Sequence, residues 1–315
     1  MPLDHFVSQV YLKNFYSPKL GALMYAIRKS DLKLFTPNAE SVCRIEDGST
    51  NFYLREDRII EEFLKRIEPG YNAALTNLMK GKIDQESIFV IAGFVAYVSN
   101  CSPVAMRIYS ASLKAVVEHT AIISDSKGSL SLPPLELGGK NLTELLQNGE
   151  IPVNIDPKYP QAFGIASILS HTITYGNYTW DILINPFEDS SFFTSDFPIA
   201  IERVHNTHIS NKIIPLAPYI AIRICPNLSY DRKNPNYSFS DFKYTIRKLN
   251  RSEVVTINRL IVRCAETTVF FRDNFDWVLN FVKKNSRFRI ETITGNLPYE
   301  KGSILWATQE ISKIN

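Results

Sequence analysis

Apolar positions along this chain recur first at the spacing of a helix and later at the spacing of a strand. The clearest helical stripe lies in "EDRIIEEFLKRIEPGYNAALTNLMKGK" (56–82), where Ile59, Ile60, Phe63, Leu64 and Ile67 return every three or four positions. Pro69-Gly70 should end or bend this helix, because proline lacks the N–H of a helix interior and its ring crowds the preceding turn. A second helix is predicted from Tyr71 to Met79. Asp84, three residues before Ser87, reads as the N-cap of a further helix reaching about Asn100. Pro103 suits the first turn of the next, which runs to about residue 124. Residues 5–15 predict a short helix, with Phe6, Val10 and Phe15 on its apolar side and His5 and Gln9, four apart, on one polar face. "ALMYAIRKSDLKLFTP" (22–37) predicts two short strands around a Lys-Ser-Asp turn.

Residues 124–141, "SDSKGSLSLPPLELGGKN", are rich in Ser, Pro and Gly and read as a loop or linker. Helices are predicted at 141–148 and around 159–174. The period then changes. "TWDILINP" (179–186), "SFFTS" (191–195), "YIAIRIC" (219–225), "TTVFF" (267–271) and "RFRIETIT" (287–294) are β-branched, aromatic and bounded by turns, hence strands. Helices at 250–266 and 273–284 separate the later ones. The predicted class is α+β: a helical N-terminal half with a small strand pair, then a mixed β-sheet with packed helices. The organisation reads as a mainly helical region over 1–125, a loop or linker over 126–140 and a mixed α/β region over 141–315, or as one composite domain.

Composition narrows the function classes. The 315 residues carry 35 basic and 32 acidic side chains, a net charge of +3, too balanced to announce a nucleic-acid or membrane partner by bulk charge. Any basic patch must be local. Cys43, Cys101, Cys225 and Cys264 are scattered without a CxxC pair, which points away from a zinc site or disulfide framework and toward buried thiols in a cytoplasmic protein. The opening residues lack a basic segment followed by an apolar core and cleavage site. The longest apolar stretch, 87–106, is interrupted by Asn100 and Pro103 and reads as a buried core helix, so no membrane partner is expected.

Several residues carry candidate chemistry. Glu61 and Glu68, seven apart on a helix, lie only about 20° apart around its axis. They could share a divalent cation or do acid/base work; equally, they could form a solvated face on which Glu61 pairs with Lys65. His5 and Gln9 could meet those glutamates in a mixed N/O site suited to Mg, Mn or Zn, or could pin the N-terminal segment by hydrogen bonds. Ser195 and Asp196, in "FFTSDFPIAIE", could contact phosphate and bind metal or act as a base, or could form a turn closed by Pro198. His171 reads foremost as a satisfied core histidine, and His205 and His208 as loop residues. Asn258 could bind a ligand or cap a backbone group. Residues 241–251 and 281–290, the latter with Lys283 and Lys284, interleave cations with Phe and Tyr, as phosphate-backbone sites do and as solvated faces also do. There is no GxSxG elbow, P-loop or GxGxxG, and no nicotinamide, flavin or haem site is indicated.

The opening "HFVSQVYLKNF", the helix "EEFLKRIE", and the stretches "FFTSDFPI" and "IIPLAP" together resemble the bacterial family DUF4238. Its typical opening, His-x-Val-Pro-Gln-x-Tyr-Leu-x-x-Phe, is matched by His5, Val7, Gln9, Tyr11, Leu12 and Phe15, with Ser8 in place of the proline. The family's Arg-Thr-Pro triplet corresponds to Cys101-Ser102-Pro103, so its arginine is missing here and Arg107 is the nearest substitute. The resemblance runs from residue 5 to about 265 and implies a bacterial protein with links to defence or toxin-like gene neighbourhoods, without a settled activity. Two readings follow. The first is a metal-assisted hydrolase, such as a nuclease effector of antiviral defence, in which His5, Glu61, Glu68 and Asp196 converge on Mg or Mn and basic stretches hold nucleic acid. The second is a non-catalytic protein that binds a partner, in which the same His and Glu residues are struts.

Overall fold

The computed structural model describes residues 3–131, 133–205, 207, 209–299 and 302–314. The chain opens with strand β1 (Leu3–His5), helix α1 (Gln9–Leu12) and a 3-10 turn (Lys13–Phe15) in place of one helix over 5–15. The backbone of residues 3–6 is drawn out of helical geometry because it pairs elsewhere: Phe6 N–H donates to the Cys43 carbonyl, and β1 pairs antiparallel with a later strand over 44–46. The predicted strand pair is β2 (Tyr25–Arg28) and β3 (Leu34–Phe35), followed by β4 (Arg44–Glu46), the partner of β1.

The long amphipathic stretch splits where Pro69-Gly70 predicts, into α2 (Ile59–Ile67) and α3 (Tyr71–Met79). Ile60, Phe63, Leu64 and Ile67 are buried, whereas Ile59 is exposed at the helix start. Asp84 caps α4 (Gln85–Cys101) by accepting from Ser87 N–H, and Ser102 caps α5 (Pro103–Ser126), with Pro103 in its first turn. Helix α4 is apolar nearly all round and runs through the centre of the core. Gly93 is what lets α2 approach it: a Cβ there would lie 2.9 Å from Ile67 Cγ2. Among the described residues no single helix is long and apolar enough to cross a membrane; α4 and α5 would pass only as a pair, and they are bent by 57°.

A 3-10 turn (Leu135–Leu137) interrupts the loop after α5, and α6 (Leu142–Gln147) opens on a capping box between Asn141 and Glu144. The helix predicted over 159–174 is two, α7 (Lys158–Ala166) and α8 (Ile168–Gly176), broken at Ser167, whose backbone leaves helical geometry. Then come β5 (Thr179–Ile184), β6 (Thr194–Ser195), β7 (Ala200–Arg203), β8 (Ser210–Ala217), β9 (Ile220–Cys225), β10 (Tyr244–Lys248), α9 (Arg251–Cys264), β11 (Thr268–Phe271), α10 (Asp276–Asn285), β12 (Phe288–Tyr299) and β13 (Gly302–Lys313). Strand β6 is shorter than predicted because Ser191 and Phe193 give their backbone groups to the Asn258 side chain instead of to a neighbouring strand.

Two sheets carry the C-terminal half. The first has the order β10-β5-β9-β8-β7, mixed because β10 runs parallel to β5 while its other pairings are antiparallel. The second has the order β3-β2-β11-β6. Here β11, a late strand, sits between the early hairpin and β6, so the helical and sheet-rich regions share a sheet and one hydrophobic core. The architecture is α+β. β12 and β13 form a separate hairpin laid against α5, where Thr292 Oγ1 donates to the Ile108 carbonyl.

Candidate functional site

The opening segment is a set of struts. His5 uses both ring nitrogens: Nε2–H donates to the Glu40 carbonyl at 3.1 Å, and Nδ1 accepts from Gln9 Nε2 at 3.5 Å. Its own carbonyl accepts from the buried Tyr97 hydroxyl at 2.5 Å. Arg58 spans Asp4 and Glu61 at 3.0 and 3.2 Å, and Lys65 pairs with Glu62, not with Glu61. Burial pushes the Asp4 carboxyl up, but the Arg58 guanidinium, Ser49 N–H and Lys158 overcome it and hold the carboxyl below its ordinary value. Burial is also the main cause that raises the Tyr97 hydroxyl, and Cys101, Glu68, Glu61 and Asp4 add to it. The three carboxylates do not form a cation cage. Arg58 occupies two of them, and among the described residues no three His, Cys, Asp or Glu side chains are placed to share a metal.

Asp196 serves the second sheet. Its carboxylate accepts from Glu266 N–H (2.9 Å), Thr267 N–H (2.7 Å), Thr267 Oγ1 (2.6 Å) and Thr268 N–H (3.1 Å). Three of the donors lie in the turn between α9 and β11 and the fourth is the first N–H of β11, so the side chain stitches the end of β6 to β11. The predicted convergence of Asp196 with His5, Glu61 and Glu68 on one cation is not what these contacts make. Ser195 Oγ accepts from Phe197 N–H, the turn geometry that was the plainer alternative for this stretch. Asn258 is fully buried; it accepts from Phe193 N–H and donates to the Ser191 carbonyl, both at 2.9 Å, and so braces a loop. His205 is exposed, and His208 lies outside the described residues.

Arg107 is likewise engaged. Its guanidinium makes a two-pronged pair with Glu266 (2.9 and 2.8 Å), reaches Glu291 at 2.8 Å and donates to the Ile290 carbonyl at 2.8 Å. This ties α5 to the α9–β11 turn and to β12. Glu266 is thereby neutralised, and that matters because its other side faces a cleft.

The cleft, about 1150 Å3, is lined by Arg28, Lys29, Ser30 and Leu32 from the β2–β3 hairpin and by Glu266 and Thr267. Asn280, Lys283, Lys284 and Ser286 from α10 and its end, with Arg287 and Ile314, complete it. Five cationic side chains face one carboxylate that Arg107 already neutralises. Arg28 pairs with Asp31; Lys283, Lys284 and Arg287 are exposed and have no carboxylate partner among the described residues. The two lysines also sit in the last turn of α10, where positive charge offsets the carbonyl end of the helix. Lys29 is the buried member. It donates to the Ala265 and Phe288 carbonyls, and burial pulls its ammonium down to about 8 against the attraction of Asp196, Cys264 and Glu266. Of this wall the sequence marks Lys283 and Lys284. It does not mark Arg28, Lys29 or Arg287, because a hairpin some 250 residues away supplies the facing side; the Arg-Lys-Ser turn at its tip is the only local trace.

Fold and site together define an α+β protein in which an N-terminal anchor and an Asp196 strut hold a basic cleft. Among known families, the model described as "Protein of unknown function (DUF4238)" matches residues 4–275, and the chain belongs to that family. The match takes in the anchor, Asp196 and the hairpin wall of the cleft, and ends before α10. No curated protein and no solved structure matches the chain.

Proposed function

We propose that this protein binds the phosphate backbone of a single-stranded nucleic acid in the cleft between the β2–β3 hairpin and α10. The observation that carries the reading is the charge of that cleft: Arg28, Lys29, Lys283, Lys284 and Arg287 against a single, already paired glutamate. Ser30 and Asn280 add a hydroxyl and an amide that can donate to phosphate oxygens. Such a surface holds backbone by releasing counterions and reads little sequence. Of the four residues considered for hydrolysis, His5, Glu61 and Asp196 are taken up by hydrogen bonds or ion pairs, and the Glu68 side chain at the end of α2 is left without them among the described residues, which favours binding over hydrolysis.

Fluorescence anisotropy with labelled single-stranded RNA, single-stranded DNA and duplex DNA across a salt series tests this. Single strands should bind, and a Lys283→Ala/Lys284→Ala variant should lose about tenfold or more in affinity, with a salt slope lower by roughly one to two. Equal affinities and slopes for the two proteins would sink the assignment. The same incubations with Mg2+, Mn2+ or EDTA read out cleavage: metal-dependent cutting would move the function from binding to a nuclease.

A further inference from the structure

A second pocket lies on another part of the molecule, among α4, α5, α7 and α8, with a volume of about 310 Å3. That is the lower end of the ~300–1,000 Å3 range in which small-molecule sites fall. Leu113, Pro160 and Phe163 give it apolar walls, and Phe163, 58% exposed, stands at its rim. Gly164 brings α7 close to α4; a Cβ there would be 2.7 Å from the Asn100 Cβ.

One buried polar atom at this site lacks a partner, and two part-buried hydroxyls stand beside it. His171 Nδ1 is buried without a hydrogen bond, against the expectation of a satisfied core histidine. Asn100, 2% exposed, spends its Nδ2 on the Ala96 carbonyl and lines the pocket beside Gly164. Neither Tyr109 Oη nor Ser167 Oγ has a hydrogen-bond partner among the described residues. A buried polar group left unbonded costs about 1–3 kcal/mol, so His171 Nδ1 calls for a partner that the fold itself does not supply. The surroundings are positive. Burial above all, then Lys212 and Arg232, hold the His171 imidazole below its ordinary value. Lys212 has its ammonium 6.0 Å from the Tyr175 ring centre and no carboxylate partner among the described residues.

We infer that this pocket binds a small organic acid with a flat apolar body, its acidic group hydrogen-bonded by His171 with Ser167 or Tyr109, its body against Leu113, Pro160 and Phe163. A neutral imidazole with its proton on Nδ1 can donate to a carboxylate, and Lys212 supplies long-range attraction.

Benzoate and its neutral counterpart benzamide serve as probes, followed by saturation-transfer NMR and titration on the full chain. Benzoate should bind at millimolar concentration, at least about tenfold tighter than benzamide. His171→Leu removes a partnerless imidazole and should keep the fold while weakening benzoate about tenfold or more. Ser167→Leu, which fills the pocket from its half-buried edge, should abolish binding and covers the case in which His171→Leu fails to fold. No benzoate binding, equal binding of the two probes, or benzoate binding that survives both substitutions would each overturn the assignment.

Discussion

The Tyr11 hydroxyl donates a 2.8 Å hydrogen bond to the carbonyl of Pro215, 204 positions along the chain. It also bonds Thr194 Oγ1, and the ring packs against Phe15, Tyr71 and Phe94. One side chain of the opening segment thus fixes the helical region to both sheets. Tyr11→Phe keeps the ring and removes the hydroxyl, leaving the Pro215 carbonyl unsatisfied in a dry core. The expected cost is about 1–3 kcal/mol, read from the urea midpoint at unchanged m-value. Tyr11→Ala should cost about 3–5 kcal/mol, since it adds a cavity.

Asp196 separates a strut from a catalytic group. Asn at this position would set its NH2 against either Glu266 N–H or the three Thr267 and Thr268 donors, and would remove the negative charge that all four now meet. Asp196→Asn is expected to destabilise the protein by roughly 3–5 kcal/mol, as the breaking of a buried charged network does. A variant of native stability, measured by thermal or denaturant unfolding, would remove Asp196 from the framework and return it to the list of candidate reactive groups.

Lys29 predicts an alkaline stability limb. Its ammonium titrates near 8 in the fold against 10.5 ordinarily, so between these values the unfolded chain binds the extra proton. Stability therefore rises as pH climbs from about 8 toward 10.5. At ~1.4 kcal/mol per unit the rise is on the order of 3 kcal/mol. The neutral amine still has two N–H groups for its two carbonyl partners. Lys29→Met should lack this limb, so the difference between the two pH profiles is the measurement. Nucleic-acid affinity should fall between about pH 7 and 9, as Lys29 in the fold loses its charge around 8.

Much of the architecture could be read from pattern, because helices and their stops are local. Pro69-Gly70, Asp84 and Pro103 each act through their own backbone or the next turn, and each acts where predicted. The strands less visible in the sequence have weak alternation. β10 is exposed along its length, β8 contains Pro215, and β1 exists only because residues 44–46 lie beside it. The candidate sites were legible in part for the same reason. Lys283 and Lys284 stand together in sequence, but the facing Arg28 and Lys29 come from the other end of the chain. Glu61 and Glu68 were paired on geometry alone, and no helix pattern could reveal that Arg58 would bridge Glu61 to Asp4.

Arg107 offers a test in which a residue outside the cleft changes what the cleft binds. It neutralises Glu266, which lines the cleft, and holds Glu291 on β12. Arg107→Met should cost about 1–3 kcal/mol in stability, as charge-assisted bonds from a half-buried guanidinium are lost. It should also leave Glu266 facing phosphate with only Arg289, 3.9 Å away, to offset its charge, and so weaken nucleic-acid binding although no ligand-facing group has been removed. If the loss is electrostatic, Glu266→Gln added to Arg107→Met restores binding while stability stays low, because the bidentate pair is still absent. If the loss reflects a displaced β12, the double variant binds as poorly as the single one. A double-mutant cycle run on affinity and on stability in parallel separates the two, since charge coupling appears in the first and structural coupling in the second.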